Sequence, residues 1–214
     1  MTSIDDLSAL DLAALVASRV CHDIISPVGA ITNGLEVLDE ENAEDMKEFA
    51  MDLIRKSARQ ASAKLQFARL AFGAAGSAGA EIDLGDAHSV AAGFLANEKA
   101  DLDWQVPRLL MPKNRVKLLL NLILLANQCV PRGGLITVTM SGEAANPRFE
   151  LKVTGSTTKV PAVVLDLTAG HDPERIDAHT VQPVYTVLLA RDSGMDLEVV
   201  KQEDGVSITA SSKE

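Results

Sequence analysis

Ten residues near the start of this chain, Leu7, Leu10, Ala14, Ala17, Cys21, Ile24, Val28, Ile31, Leu35 and Leu38, recur in alternating steps of three and four. Apolar residues kept at that spacing form one seam along a long α-helix, and only another helix packed against it hides the seam. Ser3 with Asp6 offers a capping start. The acidic stretch LDEENAED, residues 38–45, breaks the pattern where a turn is expected. A second helix is expected over 43–72, where Met51, Ile54, Ala58, Ala61, Leu65, Ala68 and Phe72 repeat the spacing. Two long helices with a short connection make an antiparallel hairpin. Each helix then buries one face only. Pairing with a second copy into a four-helix bundle supplies the missing cover, so a homodimer is expected. Packing of the hairpin on the rest of the chain is the alternative.

GAAGSAG, residues 73–79, is a small-residue junction dividing the chain into a helical part, 1–74, and a second part, 80–214. The second part alternates helices and strands. DLGDAHSVAAGFLANEK and VQPVYTVLLARDSG read as helices, and PKNRVKLLLNLILLANQCV as a buried helix with Pro112 near its first turn. LDWQV is a short strand, LITVTMS and RFELKVTG flank a hairpin turn, and MDLEVVK and VSITAS form a last hairpin. The expected fold is therefore α+β, a helical hairpin followed by an α/β sandwich.

Composition narrows the function. The formal charge is −10 and aromatic residues make up 3%, which disfavours nucleic-acid binding: phosphate backbones are repelled and bases find little to stack on. Cys21 and Cys129 belong to no C-x-x-C pattern and read as reduced core thiols of a cytoplasmic protein. The N-terminus lacks the basic start and apolar run of a signal peptide. No stretch reads as a membrane span, VKLLLNLILLANQCV being the best candidate and too short.

The seam leaves an opposite stripe on the first helix, made of His22, Ser26, Gly29, Asn33 and Glu36. Small and polar neighbours leave His22 open to approach. A neutral imidazole has one ring nitrogen free to attack an electrophile. Asp23 could accept a hydrogen bond or a proton beside it. Pro27 has no N–H, so the Asp23 carbonyl loses its helical partner and a bend is expected there. An inert surface histidine and a packing kink are the bland reading of the same residues.

HDIISPV, residues 22–28, resembles the H-box of two-component histidine kinases, where a histidine and an acidic residue precede a proline at this spacing. LLLNLILLANQCVPRGGLITV resembles the kinase segment containing the N-box. Aligned on Asn121 and Ala126, the magnesium-binding position holds Leu125, which offers no oxygen to a hard cation. Gln128 stands in the usual lysine region, Thr154 and Gly155 where an aspartate and paired glycines are expected, and no phosphate loop follows. A kinase-like fold without ATP binding resembles the ChpT-type histidine phosphotransferases of alphaproteobacterial cell-cycle signalling. SRVCHDIISPVGAI, SARQASAKLQFARLAFGAAGSAG and IDAHTVQPVY carry that likeness over nearly the whole chain.

The resemblance implies a dimeric four-helix bundle plus a degenerate histidine-kinase ATPase-like α/β sandwich. It implies that His22 accepts a phosphoryl group from the receiver domain of a CckA-type hybrid kinase. His22 then passes it to aspartates of CtrA-type and CpdR-type response regulators. The chain needs no cofactor, since the receiver brings its own magnesium. Ser26, Ala30, Asn33 and Gly34 are the docking candidates on the first helix, with Lys64 a weaker one on the second. A non-catalytic dimeric adaptor and an active kinase are the rival readings. The pairs His171–Asp172 and Asp177–His179 have no recognised metal spacing, and His88 and Trp104 read as a surface and a packing residue.

Overall fold

The computed structural model describes residues 4–40, 44–73 and 81–212. The junction expected at 73–79 lies almost wholly outside the described residues, as does the start of the turn after the first helix. That first helix, α1 (Ala9–Asp39), begins at Ser8, whose hydroxyl oxygen accepts from the Asp11 N–H. The cap is thus Ser8 with Asp11, five residues later than the expected Ser3, which lies outside the described residues. α1 runs unbroken through Pro27. A turn of 3-10 helix (Glu44–Met46) leads into α2 (Lys47–Ala71), which packs along α1.

The buried line on α1 differs from the expected seam. Pro27 and Gly34 are fully buried, and Val16, Val20, Asp23, Ile31 and Leu38 continue their line, half-buried, toward α2. Leu10, Ile25, Val28 and Leu35 instead face solvent, 46–80% exposed, and Cys21 is exposed rather than a core thiol. A helix this rich in Ala, Leu, Ile and Val has two apolar stripes, and the three-four count alone does not say which one the same chain covers. α1 is also long and apolar enough to cross a membrane, which the sequence reading did not anticipate. The Arg19–Asp23 ion pair in its middle and its packing on α2 oppose insertion.

At Gly34 the two helices approach closely. A Cβ there would lie 2.6 Å from Ile54 Cγ1 and 3.2 Å from the Ala50 carbonyl oxygen. Gly34→Val is therefore expected to cost about 1–3 kcal/mol through overpacking. Thermal unfolding should register this as a Tm lower by on the order of 5 °C.

Beyond the junction, β1 (Glu81–Asp83) pairs antiparallel with β3 (Leu110–Pro112) as a small ribbon at the base of α3 (Leu84–Leu95). The main sheet has the order β2-β4-β5-β7-β6, formed by β2 (Ala100–Gln105), β4 (Gly134–Glu143), β5 (Asn146–Thr154), β6 (Met195–Lys201) and β7 (Gly205–Ser212). β2 and β4 are parallel and the other neighbours antiparallel. Strict alternation along β5 turns Phe149, Leu151 and Val153 inward, opposite Ala210, Ile208 and Val206 of β7. Helices α4 (Lys113–Cys129) and α6 (Val181–Asp192) pack together over the sheet, with the short α5 (Ala162–Thr168) beside them. α4 is buried almost all round, because sheet, α3, α6 and α2 meet on it. The expected hairpins and helices are present; β1, β3 and α5 were not anticipated.

The core does not stop at the junction. Phe67 and Ala71 at the end of α2 belong to the same buried cluster as Leu84, Leu118 and Ile123. A buried polar network reinforces that contact. The Asn121 amide nitrogen donates to the Ala71 carbonyl at 3.0 Å and to the Lys117 carbonyl at 2.9 Å. Gln182 Nε2 donates to the Asn121 main-chain and side-chain oxygens, and Gln128 Nε2 donates to Gln182 Oε1. Burial pushes the Cys129 thiol up to about 12, so this cysteine is an inert core group as expected.

Candidate functional site

His22 stands midway along α1 with its side chain 61% exposed. Its Nδ1 approaches Asp23 Oδ1 at 3.6 Å, an electrostatic contact longer than a hydrogen bond. The other oxygen, Asp23 Oδ2, accepts from Arg19 Nε at 2.8 Å, an ion pair one helical turn apart. Asp23 is held between a cation and the imidazole, and its carboxylate favours the ring form with the proton on Nδ1. Nε2 is then the nitrogen with a free electron pair.

A second histidine meets the first. The His179 ring lies 5.2 Å from that of His22, nearly perpendicular to it. It belongs to the turn that starts α6. Asp177 Oδ1 accepts from the N–H groups of His179 and Thr180, and the Thr180 hydroxyl oxygen accepts from the Asp177 N–H. These backbone bonds, His179 first, hold the Asp177 carboxyl below the usual carboxylate range. The Asp177–His179 pair therefore shapes a turn. Arg19 Nη1 reaches the His179 carbonyl at 3.5 Å, so one guanidinium links Asp23 on α1 to the entrance of α6.

Along the His22 stripe Ser26 and Asn33 are exposed and Ala30 is half-buried. Nothing lies within 4 Å of where a Gly29 side chain would begin, so the surface beside His22 is open. Gly34 does not share it, being buried against α2 as described above. Lys64 is 19% exposed and points to Glu98, 3.5 Å away. It bounds a narrow crevice with Asp23, Ile24, Phe67, Phe94 and Leu124, between the helical hairpin and the α/β part. Pro27 faces α2, within a continuous helix.

Sequence reasoning missed Arg19 and the position of His179. The spacing of Arg19 and Asp23 signalled the first. Nothing local signals the second, because Arg19 and His179 are 160 residues apart. Likewise His88 stacks on Trp104, ring centroids 5.1 Å apart, across α3 and β2.

Residues 84–205 match the family described as the histidine phosphotransferase C-terminal domain. The chain is also 54% identical over 205 residues to the protein phosphotransferase ChpT of Brucella abortus (strain 2308), covering 95% of this chain and 97% of that one. The chain belongs to the histidine phosphotransferase family. A bacterial phosphotransferase whose structure is known at 1.7 Å superposes with a TM-score of 0.89 at 51% identity, covering 95% of this chain and 97% of the other. A histidine kinase domain from Erythrobacter litoralis aligns with 88% of this phosphotransferase, and 92% of its own length, at 12% identity and a TM-score of 0.47, too distant to bear on function.

Proposed function

We propose that this phosphotransferase carries its phosphoryl group on His22, in a relay between aspartates of receiver domains. The observation that carries the reading is an imidazole standing out of a rigid helix, with Nδ1 toward a carboxylate and an open surface beside it. Nε2 attacks phosphorus, the bond from phosphorus to the receiver's aspartate oxygen breaks, and the aspartate leaves as a carboxylate. The ring becomes cationic with its proton on Nδ1, and Asp23 offsets that charge. Reversal of the same step unloads the group onto a second receiver. The receiver supplies the magnesium ion, and Ser26, Ala30 and Asn33 form the surface it meets. A CckA-type hybrid kinase as donor, and CtrA-type and CpdR-type regulators as acceptors in the cytoplasm, follow from the family likeness.

ATP is not the source of the phosphoryl group in this reading. Leu125 is buried in the core, and both donor bonds of the Asn121 amide are spent on main-chain carbonyls. The chain incubated with labelled ATP should stay unlabelled, and should take label from a phosphorylated receiver. Autophosphorylation from ATP would sink the reading.

The open apolar stripe on α1, with Met51 and Leu65 on α2, fits a second copy completing a four-helix bundle. Ile25 is 70% exposed in the single chain. Ile25→Asp is expected to move the protein to half its mass in analytical ultracentrifugation, by placing a charge where apolar side chains would meet. An unchanged mass would exclude this face as the contact.

A further inference from the structure

We infer that His179 is a catalytic residue of the phosphotransfer, donating a ring N–H to a phosphoryl oxygen on His22. The inference rests on the reading that His22 carries the group. Three observations lead to it. The two rings are 5.2 Å apart and nearly perpendicular, in edge contact, so His179 lies within reach of the oxygens of a phosphoryl group on His22. The turn bearing His179 is fixed at both ends of the residue: its N–H binds Asp177 Oδ1 at 2.9 Å, and its carbonyl faces Arg19 Nη1 at 3.5 Å. Arg19 and Lys64, on α1 and α2 near Asp23, already have carboxylate partners, Asp23 and Glu98, and Arg175, on the segment that bears His179, pairs with Asp177.

A phosphoryl group adds close to two negative charges and three strong acceptor oxygens. The ring poised beside it, outside those pairs, is His179. A bond from its N–H to one oxygen fixes rotation about the N–P bond, so that phosphorus presents one face to the incoming aspartate. It also offsets charge during transfer in either direction, with no proton gained or lost overall. The α/β part thereby takes part in the chemistry through one side chain, while docking stays with α1.

The test is single-turnover transfer from a receiver domain charged by a small-molecule phosphodonor, and from phosphorylated protein to an uncharged receiver. The binding constant of the uncharged receiver is measured alongside. His179→Ala should slow both transfers by about ten-fold, the size of one charge-assisted hydrogen bond, and leave receiver binding unchanged. His179→Gln keeps a donor and should recover most of the rate. Wild-type rates in His179→Ala would overturn the inference. So would a loss that appears wholly as weaker binding, or a Gln variant as slow as the Ala variant. If His22→Ala still accepts label, the failure lies with the His22 reading instead.

Discussion

His22→Ala is expected to reduce labelling by a phosphorylated receiver to background, with no partial activity. The proposed relay step is covalent at His22, so on that reading removal of the nucleophilic nitrogen leaves no intermediate for orientation or charge to assist. His22→Gln should be equally inactive, because an amide nitrogen has no free electron pair to give. The fold should hardly notice either change. The side chain is 61% exposed and, among the described residues, makes no hydrogen bond at normal length, so stability should move by no more than about 0.5 kcal/mol. Acid-labile, base-stable label on the wild type, absent from both variants of unchanged Tm, is the expected result. Label persisting on His22→Ala would place the intermediate elsewhere.

The second large effect concerns stability. Asn121→Leu is expected to cost about 2–4 kcal/mol, because it leaves a buried carbonyl without its donor and sets an apolar side chain into a polar network. The Ala71 carbonyl at the end of α2 loses its donor in a site with no exposure, while Gln182 Nε2 keeps the Asn121 main-chain oxygen and the Thr186 hydroxyl. For a domain of this size that is a fall in Tm on the order of 10 °C. A urea titration should show a lower midpoint with an unchanged slope. Gln182→Leu should be less than additive with it, since the two side chains share one network. A shift below about 2 °C would mean that water satisfies these groups and that the network holds little.

Asn121 also marks a limit of reading by alignment. In sequence it serves only as a landmark that aligns Leu125 with the magnesium-binding position of kinases. In the structure its amide joins the end of the helical hairpin to the core of the α/β part. The two halves on either side of GAAGSAG share one hydrophobic cluster. Phe67 and Ala71 lie off the seam read for the second helix, and their partners Leu84, Leu118 and Ile123 lie far along the chain. The α4 segment was legible as buried because it is apolar on every face. The β4–β5 hairpin was legible at Gly142 and the end of α6 at Gly194, whose φ of +78 and +63 other residues seldom adopt.

The sequence by itself determined most of the element types, the long helical pair and the exposed stripe with His22, because these follow from local spacing along one helix or strand. Tertiary structure alone decided which apolar stripe of α1 is covered, and so why Gly34 is a contact with α2 rather than a docking residue. It alone brought Arg19 and His179 to the imidazole. Periodicity states which side chains share a face; what that face meets depends on chain closure over distances that no local pattern encodes.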